Sequence, residues 1–553
     1  MGSVRVLKSS TSDSGFKVFL KNSMKQKDQN RRLVRSTFAV AAPTFLSRIL
    51  GYIRDLIQAF FMGTSGSMDA FAIGYIIPNL MRRLMGEGAM TAAFIPIFTQ
   101  MKEEKSKEEL WKFANMFFYD LTLIMALLTV LGIMFAPFLV RIISFGYGSV
   151  EGKWELTSVL TRIMFPYMFL ICLAALVMAI LNSFRRFFVP AFTPVLFNLA
   201  VISAALLFAK KAEEPAYVFA IGVIIGGALQ LGFQIPFLWR NGMRFKFGLS
   251  FTHPAVRKVA KLMIPGIFGA GVIQINFAIS RMIATLLEEG SVSSLYYASR
   301  VQELTLGLFA IALSIALLPT FSEQAARKDI QGMKKTLVFS FKLIFFITLP
   351  ATAGLLILSR PIIQVLFQHG VFDEKSTATS ALCLFYFAFG LPFISGVKIL
   401  SPAFYSFKDI KTPVIVSFIV MLGYTDLALI LMNSLQVGGI ALALSIASVF
   451  NFITLFFLLE RKIGRIEKKE FIVSAVKSAL SAAMMGVAVW FFMEQFDFQK
   501  LAFLKQLGLL CAAVVVGITV YVLMSLIVNY EELKGLKDIL SRERFLKGNE
   551  VRR

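Results

Sequence analysis

The dominant pattern along the chain is a series of apolar runs, each of about 20 residues or more, separated by short polar segments. A helix of about 20 residues crosses the hydrocarbon core of a bilayer, so each run is a candidate membrane span. The pattern predicts about fourteen spans, over residues 37–62, 68–101, 112–145, 157–184, 189–209, 216–239, 258–287, 292–324, 334–367, 376–406, 412–432, 437–460, 470–493 and 501–529. The predicted fold class is an all-α polytopic membrane protein.

Composition agrees with this prediction. Of the 553 residues, 57% are hydrophobic and 57 are Phe, and the mean hydropathy is +0.73. Such a composition excludes a soluble globular domain of this size. The formal net charge of +24 would suit a nucleic-acid partner. The basic residues form short clusters between the apolar runs rather than one stripe, so we expect no nucleic acid.

The basic clusters fall on alternate connections between the predicted spans. RKDIQGMKK (327–335) and RKIGRIEKK (461–469) lie on one side, whereas GTSGS (63–67) and EEGS (288–291) on the other side contain no Lys or Arg. The positive-inside rule therefore predicts that the basic connections and both termini are cytoplasmic. We call this predicted cytoplasmic side the inner side and the opposite side the outer side.

Short matching segments, about 223 residues apart, reveal an internal repeat. Each copy holds six predicted spans. Because six is even, the copies have parallel topology and are related by an axis along the membrane normal, an arrangement found in alternating-access transporters. We expect two six-helix lobes around a central cleft, with two extra C-terminal helices. The matching segments are Pro43 with Pro265, SMDAF (67–71) with SVSSL (291–295), Pro96 with Pro319, and SFRRFFVPAFTPV (183–195) with SFKDIKTPV (406–414).

The repeat also predicts how the chain is divided. The opening MGS resembles a cloning remnant, and the first 35 residues contain nine Lys or Arg without an apolar core long enough for a signal peptide. The predicted units are a basic cytoplasmic segment (1–35), an N-lobe with helices 1–6 (36–245), a C-lobe with helices 7–12 (257–465), helices 13–14 (466–530), and a basic cytoplasmic tail (531–553).

Charged residues inside the first predicted span require an explanation. SRILGYIRD (47–55) places Arg48, Arg54 and Asp55 in an otherwise apolar run. A charge near the bilayer centre costs about 2.5–3.5 kcal/mol on insertion scales, so such residues usually face protein or water and usually have a function. Arg48 lies about 16 Å and Arg54 about 25 Å into the span, too deep for either to reach the inner surface easily.

Two further spans carry arginines. In PNLMRRLMGEG (78–88), Arg83 and Glu87 are spaced as an i,i+4 pair, which leaves Arg82 unpaired, with Asn79 as a supporting residue one turn earlier. In YYASRVQE, Arg300 and Glu303 are spaced as an i,i+3 pair.

Arginines from three spans are therefore expected to converge on one cavity with an excess of positive charge. A guanidinium group stays protonated and matches phosphate oxygens, so the cluster favours an anionic, phosphate-bearing substrate. The alternative is that each arginine only pairs with an acid or a carbonyl group.

Several motifs together carry a family resemblance. SRILGYIRD, MDAFAIGYIIPNLMRRLMGEGAMTAAFIPIF, FPYMFLICLAALVMAILNSFRRFFVPAFTPVLFN, YYASRVQEL and FYSFKDIKTPV resemble the MurJ (MviN) family of lipid II flippases. That family belongs to a superfamily that also holds multidrug exporters of the MATE type. The resemblance covers nearly the whole chain from about residue 33.

The resemblance implies translocation of undecaprenyl-diphosphate-linked peptidoglycan precursor, lipid II, to the outer leaflet of a bacterial inner membrane. It implies substrate-binding roles for Arg48, Arg54, Asp55, Arg82 and Arg300. In the motif that reads YYASR here, Ser299 replaces the acidic residue that the family has before the arginine. The resemblance also implies that the two C-terminal helices accept the polyprenyl tail. Expected partners are lipid II, membrane lipids and the cell-wall synthesis machinery.

Some members of the family are thought to use the membrane potential or an ion for coupling. For this chain we expect no cofactor beyond the potential or a coupling ion, Na⁺ or H⁺. Asp426 in GYTDLALIL, with Asn276, is a candidate sodium site. A hard cation needs several oxygen ligands, and the alternative is an isolated, hydrogen-bonded Asp426.

The expected mechanism is alternating access without covalent chemistry. The chain has two histidines, no HExxH motif and three cysteines without metal-ligand spacing, so we expect no enzyme. One alternative is a MATE-like exporter of a drug, or an exporter of a different lipid-linked oligosaccharide; another is a structural scaffold for cell-wall synthesis.

Overall fold

The computed structural model describes residues 40–84 and 90–528. In this part of the chain there are helices and connecting loops but no strands, which confirms the all-α fold class. The helices are α1 (40–62), α2 (Gly66–Gly74), α3 (Ile76–Met81), α4 (Met90–Glu104), α5 (Lys107–Met134), α6 (Ala136–Ile143), α7 (Lys153–Ser183), α8 (Phe188–Phe208), α9 (Pro215–Arg240), α10 (Pro254–Ala284), α11 (Ser291–Ala326), α12 (Ile330–Phe367), α13 (Glu374–Ser406), α14 (Lys411–Leu435), α15 (Val437–Ile463), α16 (Lys468–Glu494) and α17 (Phe503–Val528).

Most helices follow the predicted spans, but the prediction of one helix over 112–145 is wrong, because this segment divides into α5 and α6 at Phe135. Among the described residues, ten helices are long and apolar enough to cross a membrane, and eleven when the two halves of α11 are taken as one span. The bend in α11 is 42° and lies between Gly307 and Ala310. The protein is therefore a polytopic membrane protein, as the apolar runs predicted.

The prediction of one continuous helix over residues 68–101 is wrong. The segment divides into α2, α3 and α4, with a break at Tyr75 and a π-helical turn at 82–84. Pro78 contributes to the break because proline donates no backbone hydrogen bond and clashes with the preceding turn. Residues 85–89, including Glu87, lie outside the described part of the chain. Hydropathy gave no sign of these breaks.

The packing of helices repeats along the chain. In the first lobe α7 packs against α5 and α9, and α8 packs against α9. In the second lobe α13 packs against α12 and α15, and α14 packs against α15. These neighbours are the ones that the sequence repeat pairs with each other. The same sequence pattern thus folds twice into the same local arrangement.

One turn shows the repeat at atomic detail. After α7 and after α13, a non-glycine residue adopts the left-handed conformation, Arg185 at φ 59° and Lys408 at φ 59°. In both copies the next amide turns back to the last helical turn, with Arg186 N donating to Leu181 O and Asp409 N to Phe404 O. This hydrogen-bonded reversal resembles the Schellman motif that commonly ends helices.

The last two helices pack on the second lobe. α16 contacts α12 and α17, and α17 also contacts α12. The Tyr521 hydroxyl of α17 donates a 2.6 Å hydrogen bond to the carbonyl oxygen of Phe346 in α12. Small residues allow the close approach, since a Cβ on Gly517 would lie 3.2 Å from Val489 Cγ2.

The two lobes meet along a seam at the predicted outer side. Thr64 Oγ1 and Ser376 Oγ are 2.7 Å apart, and the Gly66 amide donates to Glu289 Oε1 at 2.6 Å. Gly290 has φ +91°, and a Cβ there would lie only 2.6 Å from Thr64 O. Glycine is needed at this point both for the backbone angle and for the close contact. Towards the inner side, α4 packs against α10.

Candidate functional site

Asp55 lies at the centre of a charged cluster between the lobes. Its side chain is buried, and Oδ1 lies 2.7 Å from Arg54 Nη2 on the same helix. Its Oδ2 lies 3.2 Å from Arg300 Nε on α11 of the other lobe. The Tyr296 hydroxyl donates to Asp55 Oδ1 at 2.9 Å. One carboxylate therefore joins cationic groups of both lobes.

Arg54 is also held from the side of its own lobe. Its Nη1 donates to Asn198 Oδ1 of α8 at 3.2 Å, and its guanidinium lies 5.9 Å from the centre of the Phe197 ring. Asn198 in turn donates to the carbonyl oxygen of Ser47 at 3.0 Å. These contacts fix α1 against α8 and orient the arginine towards Asp55.

A second carboxylate extends the cluster. Glu303 Oε2 lies 3.0 Å from Arg300 Nη1, as the i,i+3 spacing predicted, and Glu303 Oε1 lies 3.7 Å from Arg83 Nη2. Arg83 belongs to the first lobe. The ion pairs thus run from Arg54 through Asp55, Arg300 and Glu303 to Arg83, with alternating sign.

On the second span, the pairing of Arg83 with Glu87 stays a prediction, and the expectation for Arg82 needs correction. Arg83 reaches Glu303 across the cleft, whereas its expected partner Glu87 lies outside the described residues. Arg82 is not the unpaired residue of this span, since its Nε donates to Asn79 Oδ1 at 3.1 Å. The π-helical turn at 82–84 changes the direction of both side chains, which an ideal helical wheel does not predict.

Arg48 lies apart from the ion-pair cluster. Its side chain is exposed, and Nη1 is 3.6 Å from the position that a Cβ would occupy on Gly307. Gly307 marks the bend of α11. Arg48 therefore stands where α1 of one lobe faces the bend of α11 in the other lobe.

A pocket with about 570 Å³ of open space lies between the lobes, beneath the outer seam. Arg83 and Asn79 line it from the first lobe, and Arg300 and Glu303 line it from the second. Arg48 and Arg82 are not among its lining residues. The structure thus brings together Arg83, Arg300, Asp55 and Arg54, whereas sequence reasoning had placed four arginines in a single group.

Tyr296 organises the wall of this pocket. The Arg300 guanidinium lies 4.8 Å from the centre of its ring and also donates to its hydroxyl at 3.2 Å. Arg281 of α10 lies 5.3 Å from the centre of the same ring and lines the pocket. Sequence analysis missed Arg281 because it lies near the end of its span, where an arginine usually reaches the interface.

Besides Asp55, the contact between the lobes contains the buried carboxylate of Asp69, which sequence analysis missed. Its oxygens accept hydrogen bonds from the Gly290 amide at 2.9 Å and from the Ser293 amide at 2.9 Å, and Lys153 Nζ lies 3.1 Å away. Asp69 therefore caps the N-terminus of α11 from the opposite lobe, where the helix dipole favours a negative charge. The repeat contained a signal, because SMDAF aligns with SVSSL and so pairs Asp69 with Ser293.

The candidate sodium site at Asp426 and Asn276 stays a prediction. Asp426 is exposed, while Asn276 Oδ1 is buried and has no hydrogen-bond partner among the described residues. No group of three or more His, Cys, Asp or Glu side chains in the described part of the chain could hold a metal ion.

Taken together, two repeated helical lobes and a cationic cleft between them define a membrane transporter for an anionic substrate. Comparison with known proteins identifies the group. A family model described as lipid II flippase MurJ matches residues 58–508, which is most of the chain. The chain belongs to the MurJ lipid II flippase family.

Curated relatives agree over nearly their whole length. A probable lipid II flippase MurJ of Vibrio cholerae is 33% identical over 473 residues, covering 83% of this chain and 89% of that protein. The lipid II flippase MurJ of Burkholderia cenocepacia is 33% identical over 434 residues, covering 78% of this chain and 84% of that protein.

Solved structures give the same result for the fold. A lipid II flippase MurJ in an inward closed conformation matches with a TM-score of 0.76 and 31% identity, over 89% of this chain and 99% of that one. An inward-facing MATE family multidrug transporter matches with a TM-score of 0.65 but only 14% identity, over 75% of this chain and 94% of that one. The MATE similarity shows the shared fold alone.

Proposed function

We propose that this protein moves lipid II from the inner to the outer leaflet of a bacterial cytoplasmic membrane by alternating access. The observation that carries the proposal is the cationic pocket between two repeated lobes, in a chain of the MurJ family. A diphosphate is the most highly charged part of such a lipid. Guanidinium groups are suited to bind it because they offer several hydrogen-bond donors in one plane.

The cleft arginines take different parts in this proposal. Arg300 and Arg83 line the pocket and contact the diphosphate, while Arg54 and Asp55 hold Arg300 in place. Arg48, beside the bend of α11, meets the head group as it enters between the lobes. Arg82 does not line the pocket, but through its hydrogen bond it orients Asn79, which does. Neutralising Arg48, Arg54, Arg82 or Arg300 is expected to weaken transport.

A groove on the second lobe offers a place for the lipid tail. It is lined by apolar side chains of α12 and α16, among them Ile357, Ala483 and Trp490, with about 590 Å³ of open space. Its walls expose almost no polar surface. A polyprenyl chain can therefore move from the bilayer into the groove and keep apolar surroundings. The head group would then travel through the cleft while the tail remains in an apolar surrounding.

The membrane potential is the proposed source of coupling. A cleft with excess positive charge that crosses the whole field gains about 2.3 kcal/mol per charge per 100 mV. With the potential negative inside, the empty cationic cleft is drawn back to the inward-facing state. A coupling ion bound at Asp426 and Asn276 stays the alternative proposal.

The remaining proposals concern the membrane topology, the absence of a catalytic step and the partners. The basic connections support a cytoplasmic position for both termini. No catalytic step is assigned, because transport by this mechanism makes and breaks no covalent bond. Lipid II and membrane lipids are the proposed partners, and the cell-wall synthesis machinery supplies and consumes the transported lipid.

Complementation tests this function. Wild type should sustain growth of bacteria depleted of their own lipid II flippase, whereas Arg48→Ala, Arg54→Ala, Arg82→Ala and Arg300→Ala should fail at equal membrane levels. Arg360→Ala serves as the matched control, because Arg360 is exposed and pairs with Glu374 away from the cleft. Full rescue by all four cleft variants would refute the phosphate-binding role.

The alternative of a MATE-like drug exporter has one supporting observation, the shared fold. It predicts drug efflux that survives loss of the cleft arginines. Efflux without any rescue of growth by the wild-type protein would favour this alternative over the flippase.

A further inference from the structure

The position of Arg281 is unusual for an arginine near the end of a membrane helix. Its helix α10 ends at Ala284, and an arginine in the last turn normally reaches the membrane surface or the helix carbonyl groups. Here the side chain turns inward, lines the pocket and lies 5.3 Å from the centre of the Tyr296 ring. The second lobe therefore presents two guanidinium groups, Arg281 and Arg300, on one aromatic ring.

Arg281 has no carboxylate partner among the described residues. Glu303, which acts on it electrostatically, already pairs with Arg83 and Arg300. The other carboxylate of the cluster, Asp55, pairs with Arg54 and Arg300. All the carboxylate charge of the ion-pair chain is thus shared among three other arginines.

The charge of the pocket confirms the imbalance. Arg83, Arg281 and Arg300 line the pocket together with one described carboxylate, Glu303. Among the described lining residues the positive charges therefore outnumber the negative ones, and like charges in a partly buried site repel each other. The cation–π contact with Tyr296 offsets part of this cost, typically by about 1–2 kcal/mol. A bound anion with two negative charges would offset much more.

We propose that Arg281 completes a subsite on the second lobe that binds one phosphate of a diphosphate lipid. Arg83 approaches the same pocket from the first lobe and Arg300 lies beside Arg281 on Tyr296. One phosphate would then lie beside Arg300 and Arg83, and the adjacent phosphate would find Arg281, whose charge no described carboxylate pairs with. The inference rests on the proposed function, since it names how that site distinguishes a diphosphate from a monophosphate.

Binding of a phosphate at this subsite also affects how closely the two lobes approach each other. A phosphate held between Arg83 and Arg281 joins the π-helical turn after α3 to α10 across the cleft and reduces the repulsion between the two guanidinium groups. The loaded cleft can therefore close more easily than the empty one.

A binding cycle with two lipids and several variants tests this subsite. The full-length protein in lipid nanodiscs is titrated with undecaprenyl diphosphate and with undecaprenyl monophosphate, for wild type, Arg281→Ala, Arg281→Lys and the control Arg360→Ala. We expect Arg281→Ala to weaken diphosphate binding by about tenfold or more and monophosphate binding by less than about threefold, since charge-assisted hydrogen bonds contribute at this scale. Arg281→Lys should be intermediate, and Arg360→Ala should match wild type.

A structural role for Arg281 predicts a different pattern. Loss of affinity for both lipids by the same factor, with a lower melting temperature, would overturn the inference, as would an unchanged preference for the diphosphate. Arg281→Gln repeats the test if the alanine variant does not fold. Failure of the wild-type protein to bind the diphosphate lipid would overturn the proposed function as well. Loss of the preference for the diphosphate in Arg281→Ala, with wild-type binding intact, would support the role of Arg281.

Discussion

At the scale of single residues, the balance of charge in the cleft determines what this protein can bind. Asp55 is the key residue because its two oxygens serve arginines of opposite lobes. A buried carboxylate in this position does not neutralise the cleft, but it keeps Arg54 and Arg300 near each other in spite of their equal charge. The arrangement holds guanidinium groups ready for a phosphate.

Asp55→Asn keeps the shape of the side chain and removes the charge. We expect lipid II translocation to fall at least about tenfold, and the free energy of unfolding to fall by about 3 kcal/mol, because two arginines lose a buried carboxylate. Thermal unfolding in detergent and a translocation assay measure the two effects. Glu323→Gln is the control, since its exposed pair with Arg327 should contribute less than about 1 kcal/mol. Equal behaviour of the two variants would contradict the role of Asp55.

Sequence reasoning found most charged residues of the cleft, because a charge in an apolar run is conspicuous. It predicted the Arg300 pair with Glu303 from spacing within one helix. It could not predict that Arg83 pairs with Glu303, since that contact joins helices far apart in the chain. Sequence reasoning missed Arg281 for a different reason. An arginine near a helix end usually reaches the membrane interface, so its position does not indicate a function.

At the scale of helices, hydropathy predicted where membrane segments lie but not where they break. Regular spans such as α7 and α15 begin and end within a few residues of the predicted bounds. The second span fails because Pro78 and the π-helical turn at 82–84 interrupt it without changing its hydropathy. The interruptions matter, since they carry Asn79, Arg82 and Arg83 at the edge of the pocket.

The groove between α12 and α16 leads to a prediction about the lipid tail. Ala483 lines the groove and is exposed, so Ala483→Trp should fill it without disturbing the core. Binding of undecaprenyl diphosphate should weaken about tenfold, whereas binding of a short-chain prenyl diphosphate should not change. Met484→Trp is the matched control, because the neighbouring Met484 is exposed and does not line the groove. Equal losses for long and short chains would exclude the groove as the tail site.

At the scale of the whole molecule, the outer seam is what must open for transport. Asp69 of one lobe caps α11 of the other, and Thr64 and Ser376 meet at 2.7 Å between their hydroxyl oxygens. Asp69 and Ser293 occupy equivalent positions of the two repeats, so the seam forms where the copies meet about their symmetry axis. The sequence repeat predicted two lobes and aligned Asp69 with Ser293. It did not predict that Asp69 caps the N-terminus of α11.

A disulfide across the seam should stop transport. The variant Thr64→Cys with Ser376→Cys places two thiols at positions close enough to oxidise, in a background where the exposed Cys511 is changed to Ser. We expect oxidation to abolish translocation and a reductant to restore it. Each single cysteine variant should be active under both conditions. Full activity of the oxidised, crosslinked protein would show that the seam does not open during transport.

The central claim is that the cationic cleft carries lipid II across the membrane. The most direct measurement is translocation of fluorescent lipid II by purified protein in sealed vesicles, comparing wild type, Arg300→Ala and the exposed control Arg327→Ala at equal incorporation. The account predicts that wild type and Arg327→Ala translocate the lipid, and that Arg300→Ala is no faster than vesicles without protein. Translocation by Arg300→Ala at the wild-type rate would contradict it.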